Sequence, residues 1–170
     1  MMLRLPAADL ARSRAKATTI MLSRPPDEVI GDGGRPYMLR WKSPDRVLFG
    51  LVGIYIHRFH RDDDDRALHD HPWRSVSVLL SGRLREVYAP RGADPSDPSQ
   101  HRSRLIEPGT VVFRRAAFAH RIEVLEAPAV TAFFVGARVR EWGFHCPRGW
   151  RHWRDFCAPD DRGRTGRGCE

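Results

Sequence analysis

Lysine, cysteine and long apolar runs are all scarce in this 170-residue chain, and each scarcity excludes something. Lys16 and Lys42 are its only lysines among 29 basic residues, so the net charge of +8 is carried by arginine. A phosphate-binding face concentrates its cations. Here the arginines are scattered, with a local excess only at the two ends (Arg12 and Arg14; Arg162, Arg164 and Arg167). The basic balance therefore reads as compositional skew, and nucleic acid is not expected as a partner. Cys146, Cys157 and Cys169 make neither a CxxC pair nor an even-numbered framework, the habit of a reducing compartment. A cytoplasmic location is expected, with Cys146 as a small buried hydrophobe. No stretch reaches the roughly 20 apolar residues of a membrane helix. Met1 to Leu22 carries Arg4, Asp9, Arg12, Arg14 and Lys16 and lacks the apolar centre of a secretory signal. A membrane is not expected as a partner either.

What the chain does contain is β-forming segments cut by turn residues. Tyr37 to Trp41, Val47 to His60, Ser75 to Leu80, Arg83 to Tyr88, His101 to Ile106, Val111 to Arg115, His120 to Leu125 and Ala129 to Val135 read as strands. Glu28-Val29-Ile30 adds a short edge strand. Val47 to His60 is apolar on both faces in its first half, as in a strand buried between two layers. Ser81-Gly82 reads as a tight hairpin turn, and Glu126-Ala127-Pro128 as the link between the last two strands. Asp62 to Asp65 reads as a solvated loop tip, and Ala89 to Gln100 as a surface loop. Helix is expected at Ala7 to Thr18, and one helical turn at Trp150 to Phe156. The division expected is an N-terminal extension over 1–36, a barrel over 37–157 and a disordered tail over 158–170. The fold class is all-β, an antiparallel sandwich or barrel.

The chemistry centres on Leu68-His69-Asp70-His71-Pro72-Trp73. On a strand, residues two apart share a face, so His69 and His71 can aim at one ion while Asp70 points away from it. Continuing that phase places Ser75, Ser77 and Leu79 on the same face. A neighbouring strand beginning at His120 can bring a third imidazole beside the pair. Three neutral imidazoles with open positions suit Fe(II), Zn(II), Mn(II), Ni(II) or Cu(II). Alone, His-x-His is a weak signal that two unrelated surface or capping histidines would also produce. The turns at Gly82 and Pro108-Gly109 and the later His120 strengthen it.

The spacing from His69-x-His71 through Ser75 to Gly82 resembles the first motif of the cupin family. Glu107-Pro108-Gly109-Thr110 through His120 resembles the second, and together they cover residues 47–136. Over nearly its whole length the chain also resembles small uncharacterised cupin proteins of bacteria and prophages. These share a Tyr-x-His-Arg-Phe segment, an acidic run before Leu-His-Asp-His-Pro-Trp, and a closing Glu-Trp-Gly-Phe. Two departures stand out: Ser75 replaces the usual glutamate ligand, and Arg115-Ala116-Ala117 replaces Pro-x-Gly.

The resemblance implies a jelly-roll barrel, an antiparallel double-stranded β-helix, with one divalent metal on His69, His71 and His120. Fe(II) is favoured and Zn, Ni, Mn and Cu stay open. Without the carboxylate the centre resembles the three-His sites of thiol dioxygenases, where an anionic substrate completes the coordination. An arginine would then hold the substrate anion, from Arg58, Arg85 and Arg114, with Arg58 preferred because it interrupts an apolar strand. A tyrosine hydroxyl would assist, from Tyr55 or Tyr88. His60 and Ser75 are expected beside the ligands, His57 as a packing residue, and His145 with Glu141 near the barrel mouth. The function expected is a mononuclear Fe(II) dioxygenase acting on a small anionic organic substrate. The alternatives are a redox-neutral isomerase, epimerase or lyase using His60 or Tyr88 as base, and a non-catalytic small-molecule-binding or sensing module. A homodimer through edge strands is the family habit.

Overall fold

Two long strands carry the architecture. The computed structural model describes residues 2–32, 34–43, 52–63, 67–158 and 166–170. In chain order the elements are β1 (Met2–Arg4), α1 (Ala7–Ser23), β2 (Glu28–Asp32), β3 (Arg35–Lys42), β4 (Gly53–Phe59), β5 (Leu68–His69) and β6 (Trp73–Tyr88). Then follow β7 (Arg102–Ile106), β8 (Thr110–Arg114), β9 (His120–Arg138), β10 (Gly143–Cys146), β11 (Gly149–His152) and α2 (Trp153–Phe156). The pairing is antiparallel throughout, in the order β1-β8-β6-β9-β4-β3-β2. The far half of β6 pairs with β7, and β5 bridges β9 to the β10–β11 hairpin.

Both β6 and β9 overturn an expectation. Gly82 does not close a hairpin, and Glu126 to Pro128 does not separate two strands. Instead β6 runs beside β9 from Trp73↔Arg138 to Tyr88↔His120, with register shifts between Leu79 and Leu84. These are bulges, which bend a strand without ending it. Gly82 sits there at φ +76°, and a Cβ on it would stand 2.5 Å from the Glu126 carbonyl oxygen and 2.7 Å from Ala129 Cα. Only glycine meets both the backbone angle and the close approach.

The bent strands are buried on both faces. Leu79 and Leu80, adjacent and each 1% exposed, point opposite ways. Leu79 joins Met38, Phe59, Leu84, Ile106, Val112 and Ile122 inside the barrel. Leu80 joins Trp41, Ile56, Val78 and Val130 on the outer face, beneath α1. That helix lays Leu10, Ala17, Ile20 and Met21 on the sheet, one stripe at helical spacing. The stripe carries α1 past Thr18 to Ser23, and Pro25-Pro26 follow as breakers.

Two further segments are held more firmly than expected. The acidic run is more than a solvated tip: Asp62 is exposed, yet the backbone N–H of Val124 donates to it (2.6 Å) and that of Ile122 to the partly buried Asp63 (2.9 Å), tying the run to β9. Asp64 and Asp65 lie outside the described residues, as do residues 47–51 of the expected strand. At the C-terminal end, Cys146 is not an unpaired hydrophobe but forms a disulfide with Cys169, 23 residues on. The bond tethers residues 166–170 to a cluster of Trp142, Phe144, Trp153, Phe156 and Cys157. Residues 159–165 of the expected tail lie outside the described residues. Among the described residues, no helix is long and apolar enough to cross a membrane.

Candidate metal centre

β5 is two residues long, yet its register sets the centre: His69 pairs with His120 on β9 and with Phe144 on β10. The chain then leaves the ladder. The His71 N–H donates to the Ala116 carbonyl (3.0 Å), which fixes the second imidazole of the His-x-His pair. One ring nitrogen from each of His69, His71 and His120 lies within 4.8 Å of the others. The Nε2 atoms of His71 and His120 are 2.9 Å apart. Two bonds of about 2.1 Å meeting near 90° would set their nitrogens roughly 3 Å apart, so the geometry suits two ligands of one ion.

The protonation states suit it as well. Burial is the main influence on all three imidazoles and disfavours their cationic form. His69 and His120 are each lowered to about 4, and His71 lies well below its ordinary value. Neutral imidazole is the form that ligates.

His120 has a further control that the sequence reading missed. Glu86, wholly buried on β6, lies 2.6 Å from His120 Nδ1. Burial works against its charge, but Arg114, the His120 hydrogen bond and Arg104 outweigh burial and hold the carboxyl far below the usual range. An ionised Glu86 only accepts, so the His120 proton sits on Nδ1 and Nε2 presents its lone pair to the centre. Arg114 donates to Glu86 through Nε and to Ser77 through Nη1, both at 2.6 Å. Arg104 donates to the other carboxylate oxygen at 2.6 Å. The missing ligand at Ser75 therefore does not leave the centre without a carboxylate. Glu86 supplies one behind His120 rather than on the ion. Its signal was the phase Leu84-x-Glu86-x-Tyr88, an acid at an inward position of an apolar alternation.

A cavity of about 110 Å³ opens from the three histidines. Arg114 lines it. The other expected side chains are placed as follows. Arg58 is not among the lining residues: strand alternation puts its neighbours His57 and Phe59 on the cavity face and Arg58 on the other. His60 is exposed beyond the end of β4. Ser75 is buried with its Oγ unpartnered and lines a separate groove beside Arg114. Tyr88 stacks on Phe118 under the Arg104 guanidinium, away from the cavity. Tyr55 stacks on Phe133 and is likewise not a lining residue. Arg85 pairs with Glu123 at the surface.

Two charged residues that the sequence reading did not place at the site also line the cavity. Arg40 donates from Nε to His57 Nε2 (3.0 Å) and pairs with Glu28 (2.8 Å). Since an arginine Nε–H only donates, His57 carries its proton on Nδ1. Burial, then Arg40, keeps it neutral. The second is Asp63, whose carboxyl burial raises to about 6 against the hydrogen bond from the Ile122 N–H.

Asp70 is not part of the three-histidine group, yet it is 1% exposed and heavily engaged. It accepts from Arg140, from the Gly143 N–H and from Trp150 Nε1, and His145 Nε2 lies 3.3 Å away. It thus anchors the β10–β11 hairpin, and His145 with it, against the metal loop. Glu141 pairs instead with Arg138 and His152.

The molecule is an antiparallel jelly-roll barrel in which three histidines converge. Solved structures resemble it. An oxalate decarboxylase structure matches with a TM-score of 0.50 at 16% identity, over 72% of this chain and 30% of that one. A Bacillus subtilis oxalate decarboxylase studied for its Mn(II) centres gives 0.49 at 16% identity, over the same shares. Fe(II)-HppE with the alternative substrate (S)-1-HPP gives 0.46 at 12% identity, over 62% of this chain and 52% of that one. At 16% identity and a TM-score of 0.50 the first of these likenesses is one of fold, and the chain spans about 30% of the oxalate decarboxylase length. No family model matches the chain. No curated protein matches it either.

Proposed function

We propose that the chain binds one divalent metal on His69, His71 and His120 and works as a mononuclear Fe(II) dioxygenase on a small anionic organic substrate. The observation that carries this is the convergence of three neutral imidazole nitrogens within 4.8 Å, with the His120 tautomer set by Glu86. When bound, Fe(II) would supply the redox chemistry with dioxygen. The chain's own residues supply charge, orientation and dryness. Glu86 is outnumbered by Arg114 and Arg104, so the cluster behind the ligands stays cationic and, with a divalent ion, favours an anion. Arg114 Nη2 makes no hydrogen bond among the described residues and is the donor we assign to that anion. Trp73, whose buried indole N–H finds no acceptor, offers a second. Loading with Fe(II) under anaerobic conditions, followed by oxygen-uptake measurements with small thiols and carboxylates, tests the reading. Uptake with at least one anion, lost in His71→Ala, is expected. Bound iron with no uptake from any of them would overturn the dioxygenase assignment.

Asp63 favours a second reading. A carboxyl on the cavity wall with a pKa near 6 is poised as a general base for a redox-neutral isomerase or epimerase. Deuterium exchange from solvent into a bound substrate without oxygen uptake would select this reading over the first.

A further inference from the structure

The cavity wall is of two kinds, and the metal centre uses only one. Besides the histidines it is lined by Ser77, Arg114, Trp73 and Arg40. It is also lined by Met38, Phe59, Leu79, Leu84, Ile106 and Ile122, all members of the barrel's main apolar cluster. Leu79, Leu84 and Ile106 are 1–3% exposed, so this part of the wall belongs to the core. Close-packed interiors seldom keep such space without an occupant. Asp63 closes the wall beside Ile122, its carboxylate holding the Ile122 N–H.

From this, and resting on the metal-centre reading above, we infer that the ligand is a monoanion with a short apolar tail, its carboxylate-type head at the metal and its tail among Leu79, Leu84 and Ile106. Three features set its class. The cationic cluster takes one negative charge. The apolar wall offers a tail no hydrogen-bonding partner and rewards each methylene that leaves water. Asp63 repels a second carboxylate, so dicarboxylates are disfavoured. The size is bounded as well. A cavity of about 150 Å³ holds benzene, so about 110 Å³ admits a tail of only a few carbons.

Zinc-loaded protein separates ligand binding from redox chemistry. Isothermal titration with acetate, propionate, butyrate and succinate gives the answer from the wild-type chain alone. Each added methylene strengthens binding about fourfold, so butyrate binds roughly 15-fold tighter than acetate. Succinate, of butyrate's length, binds at least tenfold more weakly. Ile106→Ala, which enlarges the cavity, shifts the preference toward longer tails. A flat series, or succinate equal to butyrate, with one zinc bound, overturns the apolar-tail inference and leaves the metal centre standing. A protein that takes up no zinc overturns both.

Discussion

Replacing Glu86 by glutamine tests the electrostatic design of the centre, because that carboxylate is the hub of everything behind His120. It is 0% exposed and serves Arg114, Arg104 and His120, and the Arg114 side chain is itself only 4% exposed. Glutamine keeps the shape and removes the charge, which strands a buried guanidinium. Removing one partner of a buried ion pair costs about 3–5 kcal/mol. For a chain of this length each kcal/mol lowers Tm by roughly 2–4 °C, so a fall of about 6–20 °C is expected by calorimetry. The second effect is on the metal. Glutamine can present either its oxygen or its NH₂ to His120 Nδ1, so the tautomer is no longer enforced. Loss of such a partner weakens metal binding roughly 10–100-fold, read by chelator competition. The double variant Glu86→Leu/Arg114→Met separates the two effects, since an apolar pair of similar volume can restore stability while leaving His120 unoriented. Recovered Tm with weak metal binding is the expected pattern. A Glu86→Gln protein with wild-type Tm and wild-type metal affinity would refute the reasoning.

Acid and reductant should each lower the stability of the chain. Metal-free protein should lose stability as pH falls from about 6.5 to about 4. The unfolded histidines take protons near 6.5, whereas folded His69 and His120 resist until about 4, so each costs up to about 3 kcal/mol across that window. Glu86 acts lower: its depressed pKa adds stability that is present above the unfolded carboxylate range and lost only as pH falls below it. A Tm of the metal-free protein that stays level between pH 7 and 5 contradicts the neutral-imidazole assignment. The Cys146–Cys169 bond closes a loop of 23 residues, for which chain-entropy arguments give about 3 kcal/mol. Reductant should lower Tm by roughly 6–12 °C, and alkylation of the denatured, unreduced chain should label Cys157 alone. Labelling of all three cysteines would show that the pair is open.

The grouping of His69, His71 and His120 was legible because its cues are local: a two-residue spacing on a strand and a lone histidine opening a later strand. Arg58 misled because its exception to an apolar run was read without fixing the phase of β4. With His57 and Phe59 facing the cavity, the cation on this side had to come from the neighbouring strand, where Arg40 pairs with His57 in register. Gly82 and Pro128 carry ordinary turn chemistry, which sequence alone cannot distinguish from a bulge. The deciding facts are the long pairing of β6 with β9 and the backbone pressed against Gly82. Asp63 reads as a solvated loop acid and Glu86 as no more than part of a strand, since the partners that bury each carboxylate are distant in sequence. The cysteine pairing was hidden for the same reason: the end of the chain returns to β10 through packing that no periodicity announces.

Metal content of the purified protein and its single variants bears most directly on the centre. With intact folding verified by circular dichroism, the wild-type chain and His57→Ala should each hold one equivalent of divalent metal. His69→Ala, His71→Ala and His120→Ala should each lose it. One equivalent retained by His69→Ala would contradict the three-histidine centre.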